Sequence, residues 1–298
     1  MKNVIGVIIP VLAFATATLA ALLYKIFLKT DIKYFGSHPG KEELKWMKDT
    51  VHKELYMVAR DGCCLHAVSF EKGSSDWAIL VHGYDSSLKG MLHYAREFYA
   101  KGFSVLVVDQ RGYGLSSGNE TTMGHLEKFD IIDWADKLVV EKKAENIILL
   151  GVSMGAATVM LAAKEELPEQ VRAVIEDCGY STVKAEFEHD FRNVLKLPPY
   201  PFLWLCDIIA RIRKGWSLLK DGDCISAVRD AKVPILFIHG SKDTFVPFAM
   251  QRKLYDACGR EDKEILVVEG AEHTMSCIVA PELYWNTVFR FVSKHLKK

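Results

Sequence analysis

Asn146-Ile147-Ile148-Leu149-Leu150-Gly151-Val152-Ser153-Met154-Gly155, running on into Ala156–Lys164, is the stretch whose reading decides the fold. An apolar run, a serine between two glycines and a helix-prone run read as strand, sharp turn and helix, with Ser153 at the apex. A strained turn brings strand and helix close together, so the residues flanking it must be small. Gly151 and Gly155 meet that need. The Gly-x-Ser-x-Gly string is weak by itself, because composition alone produces it in many chains. The strand before it and the helix after it supply the context that the motif requires.

Two later stretches provide an acid and a histidine. Val233–Asp243 reads as a buried strand ending in a turn that presents Asp243, and Glu264–His273 as a further strand whose exit loop carries His273. Serine, then acid, then histidine is the chain order of α/β-hydrolases, and differs from the orders of chymotrypsin- and subtilisin-type enzymes. On these residues the chain resembles the α/β-hydrolase family over nearly everything after residue 50. The resemblance implies an α/β fold: a mostly parallel eight-stranded sheet with helices on both faces and a helical cap insertion. It also implies that Ser153 is the nucleophile, His273 the base and Asp243 the acid. The oxyanion hole is then formed by the backbone N–H groups of Tyr84 and Met154, one after the strand Trp77–His82 and one after the nucleophile.

The remaining stretches fit this reading. Glu54–Ala59 and Cys63–Phe70 flank an Asp-Gly turn and predict an opening antiparallel hairpin. Strand-like runs then alternate with the helical runs Leu88–Ala100 and His125–Glu141, the rhythm of a parallel sheet covered on both faces. Asp109 and Arg111 stand in a turn, Asp109–Ser116, similar to the family's Asp-x-Arg-Gly-x-Gly-x-Ser turn, and are read as structural. Asp177, at the end of the strand Val171–Asp177, competes for the acid role, because some members of the fold place the acid there. Asp243 is preferred, since Gly240–Pro247 closely resembles the family's acid loop, and Asp177 then reads as a cap. Glu272 beside His273 is read as a bystander.

An insertion at about 180–231 interrupts the strand–helix rhythm and is placed as the cap over Ser153. It carries Leu197–Leu205, rich in proline and aromatic residues, then a helical run with Arg211, Arg213 and Lys214. This reads either as an apolar substrate chamber with a basic edge for anionic lipid headgroups, or as core aromatics under a solvated helix face. Glu186, Glu188 and Asp190 in the same insertion are candidates to receive a substrate amine, or mark a solvated helix start.

At the other end, Asn3–Tyr24 is uncharged and long enough to span a bilayer. It is expected to be a single-pass anchor (residues 1–29), followed by a juxtamembrane linker at 30–50 and the globular domain at 51–298. A cleaved signal peptide is the competing reading, with Ala15-Thr16-Ala17 as its cleavage site. Lysines after the apolar run (Lys25, Lys29, Lys33, Lys41) outnumber the single Lys2 before it, which favours a cytoplasmic catalytic domain.

Basic and acidic residues are equal at 38 each, so no net field draws nucleic acid to the chain. The seven cysteines show no Cys-x-x-Cys or other metal spacing, and no glycine-rich phosphate loop is present, so neither a metal nor a cofactor is expected. The expected function is hydrolysis of a carboxylic ester, acyl-lipid-like in the membrane-anchored reading, through an acyl-enzyme on Ser153. The alternatives are an aminopeptidase or amidase on the same triad and a non-catalytic binding module.

Overall fold

The computed structural model describes residues 2–30 and 40–297, with the side chains of 2–13 outside that description. In chain order the elements begin with α1 (Lys2–Leu28), α2 (Lys41–Asp49), β1 (Lys53–Val58), β2 (Cys64–Phe70), β3 (Asp76–Val81), α3 (Leu92–Ala100) and β4 (Ser104–Asp109). Then come α4 (Glu127–Lys142), β5 (Asn146–Val152), α5 (Met154–Ala162), β6 (Val171–Asp177), α6 (Val183–Asn193), α7 (Phe202–Lys214) and α8 (Cys224–Arg229). The chain closes with β7 (Ile235–Gly240), α9 (Ala249–Ala257), β8 (Glu264–Val268), α10 (Ser276–Val279) and α11 (Pro281–His295).

The described strands form one eight-stranded sheet in the order β1-β2-β4-β3-β5-β6-β7-β8. β1 and β2 pair antiparallel, as do β2 and β4, and the pairs from β4 through β8 are parallel. Every residue of β4 and β5 is buried, which explains their near-continuous Val, Ile and Leu composition: each face of these strands meets helices. Successive side chains alternate between two cores. Ile79 and Leu149 point into the layer of α4, α5 and the cap, while Leu80 and Leu150 point into the layer of α3 and α11. The parallel strands deliver their C-terminal ends, and the loops that follow them, to one edge of the sheet. The cap helices α6, α7 and α8 are inserted between β6 and β7 at that edge.

The N-terminal stretch departs most from expectation. It is helical, as α1, but its last turns belong to the protein body. Ala20, Leu23, Tyr24 and Leu28 are buried in the same core as the cap, and Phe27 packs its ring against Phe187 and Phe191 of α6. The Cys206 thiol of α7 donates to the Ala20 carbonyl at 3.5 Å. Glu120, whose side chain is fully buried, accepts from Tyr24 and Arg213 and pairs with Lys29, tying α1 to the cap.

A side chain held in this core cannot also face lipid. Among the described residues no helix is long and apolar enough to cross a membrane. Where a spanning anchor is expected, the described side chains from Ala20 to Leu28 instead belong to a helix docked on the cap, and the core is not complete without it. Hydropathy could not tell the two apart, because lipid and protein interior select the same apolar residues. Of the expected linker, 31–39 lies outside the described residues; α2 follows, with the Trp46 ring tilted against Phe70 at 4.6 Å.

Candidate active site

Ser153 occupies the turn between β5 and α5 with φ 56° and ψ −118°, a strained conformation for a residue with a side chain. The neighbouring glycines make the turn possible. A Cβ on Gly155 would lie 2.1 Å from the Val81 carbonyl oxygen, and one on Gly151 would lie 2.1 Å from the Gly155 carbonyl oxygen. The Ser153 N–H donates to the Asp177 carbonyl at 2.8 Å, locking the apex to the end of β6.

Asp243 lies in the turn after β7 and His273 in the loop after β8, and these two loops are fastened together. A Cβ on Gly240 would come within 2.3 Å of the Ala271 carbonyl oxygen. The N–H groups of Ser241 and Lys242 donate to the carbonyls of Val268 and Ala271. The three predicted side chains meet as a result. His273 Nε2 stands 2.9 Å from Ser153 Oγ, and His273 Nδ1 stands 2.7 Å from Asp243 Oδ2. An ionised carboxylate only accepts, so Nδ1 carries the hydrogen and Nε2 is left to accept the serine proton.

Burial raises the Asp243 carboxyl, but hydrogen bonds from His239 and His273 outweigh it and hold the group below its ordinary value. Its second oxygen accepts the backbone N–H groups of Phe245 and Val246, both at 3.0 Å. Asp177, the competing acid, accepts instead from the Tyr284 hydroxyl at 2.9 Å, and burial pushes it up to about 6. It has become neither the partner of His273 nor a helix cap.

The two expected oxyanion donors flank Ser153. Met154 opens α5, where first-turn N–H groups lack intrahelical partners. Tyr84 follows Gly83, whose missing Cβ would sit 3.2 Å from Ser153 Cβ, so this loop runs directly against the serine. The Tyr84 hydroxyl donates to the Ile26 carbonyl of α1 at 3.2 Å, which makes the N-terminal helix a support of the site.

A cleft of about 480 Å³ opens beside His273, lined by Lys242, Thr244, Phe245, Glu272 and His273. The half-exposed Phe245 ring stands 4.9 Å from the His273 ring. Above the site, α6 sorts its acids by face. Glu188 turns outward and accepts from the Tyr200 hydroxyl at 2.7 Å. Glu186 and Asp190, one helical turn apart, are buried, and each keeps one carboxylate oxygen without a partner. Burial raises both, Asp190 to about 6.

Cys178, Asp243 and His273 bring possible ligand atoms within 4.8 Å of one another. The carboxylate and imidazole are already bonded to each other, and burial pushes the Cys178 thiol well up, away from the thiolate a metal needs. The residues fit a thiol packed behind the Asp243–His273 pair better than a metal centre.

Asp109 and Arg111 brace loops. Asp109 accepts from His66 and from the N–H groups of Leu88 and Leu115, and Arg111 pairs with Asp130 and Asp61. One residue of the site escaped the sequence reading: His239, at the end of β7, whose Nε2 lies 3.1 Å from Asp243 Oδ2. The available signal was its position four residues before the acid, across the turn.

A family profile described as Serine aminopeptidase, S33 matches residues 75–205 and 204–277, most of the chain. The chain belongs to this hydrolase family. The S33 hydrolase is 28% identical over 219 residues to the uncharacterized protein YqkD of Bacillus subtilis, covering 72% of this chain and 70% of that protein. It is 25% identical to the mitochondrial palmitoyl-protein thioesterase ABHD10 of Bos taurus, over 81% of this chain and 84% of that protein. Among solved structures, the Pyrococcus furiosus esterase Pf2001 superposes with a TM-score of 0.70 at 21% identity, covering 88% of this chain and 98% of that one. That likeness establishes the α/β-hydrolase fold of the S33 hydrolase.

Proposed function

We propose that the protein is a serine hydrolase cleaving acyl esters or thioesters through an acyl-enzyme on Ser153. The observation that carries the reading is the unbroken hydrogen-bonded chain from Ser153 Oγ through His273 to Asp243, at 2.9 and 2.7 Å. His273 Nε2 takes the serine proton as Oγ attacks the acyl carbonyl carbon, and Asp243 stabilises the imidazolium that forms. The N–H groups of Tyr84 and Met154 bind the tetrahedral oxyanion, each worth roughly 3 kcal/mol in such sites. The protonated His273 gives its proton to the departing alcohol or thiol. Water, deprotonated by the same imidazole, then attacks the acyl-enzyme and releases the acid.

An acyl rather than peptide substrate is favoured by Phe245 at the mouth of the cleft, and by the presence of a palmitoyl-protein thioesterase among the relatives. Ser153→Ala is the test: turnover of p-nitrophenyl esters falls on the order of 10⁴-fold or more. Full activity in that variant contradicts the reading.

A second reading, an aminopeptidase on the same triad, is favoured by Glu186 and Asp190. Their unpartnered carboxylate oxygens suit a substrate ammonium group. Aminoacyl-p-nitroanilides run beside the esters separate the two.

The protein also meets a bilayer, in this reading, from the surface. The docked helices α1 and α7 present Phe14, Leu22 and Ile26, and Trp204, Ile208 and Ile212, all exposed, with Lys25, Arg211 and Lys214 beside them. Apolar side chains rimmed by basic ones are the composition of a helix lying in an anionic lipid interface.

A further inference from the structure

Asp243 Oδ2 has two imidazole nitrogens beside it, not one. His273 Nδ1 lies 2.7 Å from it and His239 Nε2 lies 3.1 Å from it. His239 Nε2 is also 3.0 Å from the Val246 carbonyl oxygen. A carbonyl can only accept, so Nε2 must carry the hydrogen, shared between the Val246 carbonyl and the carboxylate. His239 Nδ1 is buried with no partner, and the whole residue is 0% exposed. An imidazole with one ring nitrogen orphaned is costly in a position that an aliphatic side chain would fill. The compensation in the structure is the Nε2–H, which donates to the Val246 carbonyl and stands 3.1 Å from Asp243 Oδ2.

The fold aligns this donor closely. His239 pairs with Val267 in the β7–β8 ladder, its ring packs at 6.0 Å from Phe248, and the turn back to Asp243 is fixed by the Asp243 N–H donating to the Gly240 carbonyl. With the N–H groups of Phe245 and Val246 on Oδ1 and His273 on Oδ2, the carboxylate has three donors beside the His239 Nε2–H and cannot rotate without losing one.

We propose that His239 is a positioning residue of the triad, whose Nε2–H holds the Asp243 carboxylate in the orientation and ionised form that His273 requires. The proposal rests on the triad reading and adds a fourth side chain to it. Other titratable groups face the same carboxylate: Asp177 and Cys178 from the end of β6 and Glu186 from α6, in addition to the two histidines. Asp177 and Glu186 both oppose a second negative charge there. Donors on Asp243 decide which acid stays ionised.

The test compares His239→Gln and His239→Leu in ester hydrolysis from pH 5 to 9. The glutamine amide places an N–H near the site of Nε2, and leucine fills the space without one. The glutamine variant keeps kcat/KM near the wild-type value. The leucine variant loses on the order of 10- to 100-fold, with the acid limb of its pH profile moved upward. Equal losses in the two variants, or an unchanged leucine profile, overturn the proposal. A readout independent of both variants comes from the ¹⁵N-histidine spectrum of the wild-type protein at pH 7.5, where His239 shows the hydrogen on Nε2. A hydrogen on Nδ1 alone overturns it too. Failure of the triad reading is recognised separately, as undiminished turnover in Ser153→Ala.

Discussion

Ser153 Oγ and His273 Nε2 stand 2.9 Å apart although 120 positions separate the two residues in the chain. The distance is the product of three constraints. The elbow glycines push Ser153 up from β5, the register of β7 with β8 fixes the two later loops, and the contact of Gly240 with Ala271 seats one loop on the other. Disturbing any of them should disturb the pair before it disturbs the sheet.

Gly155→Ala tests the elbow. Its new methyl would meet the Val81 carbonyl oxygen, part of a central strand that cannot move aside. A loss of about 3 kcal/mol is expected for overpacking of this kind, read as a lower Tm together with weaker labelling of Ser153. Wild-type behaviour in both measurements would show that the turn is looser than described.

Asp190 gives a pH prediction. Held at about 6 in the fold against an ordinary 3.8, its carboxyl binds a proton more tightly folded than unfolded. It therefore contributes stability below about pH 4, and loses it as pH rises through 6. Asp190→Asn, which never ionises, should raise Tm relative to wild type at pH 8 and show no gain at pH 4. A gain of the same size at both values contradicts the assignment.

Much of this was legible in the sequence, and the limits are physical. The strands of the parallel sheet were visible because burial on both faces forces continuous apolar runs, and the Ser153, Asp243 and His273 stretches because tight turns force glycine beside them. The destination of Asn3–Tyr24 was not legible. Ala20, Leu23 and Leu28 satisfy a cap interface as well as a bilayer, and only the partner side chains, Phe187, Phe191 and Cys206, decide between them. His239 was overlooked because its closeness to Asp243 arises across a turn, which composition and periodicity do not encode.

Docking of α1 makes Glu120 a latch. Glu120→Gln removes the charge that Lys29 and Arg213 share and weakens the acceptor of Tyr24. The expected cost is about 2 kcal/mol, with faster proteolysis of α1 in the folded protein. Unchanged proteolysis and Tm would mean that burial of Leu23 and Leu28 alone secures the helix.

Lipid association is read by co-sedimentation of the full-length chain with phosphatidylserine vesicles. The wild-type protein should pellet, less so at high salt, and replacing Trp204, Ile208 and Ile212 by serine should leave more of it in the supernatant. Equal pelleting of the two proteins removes the α7 face from the interface.

The most direct measurement of the central claim is intact-mass spectrometry after exposure to a fluorophosphonate. One covalent adduct is expected on the wild-type chain, located at Ser153, and none on Ser153→Ala. A wild-type chain that stays unlabelled, or a Ser153→Ala chain labelled as fully as the wild type, would contradict it.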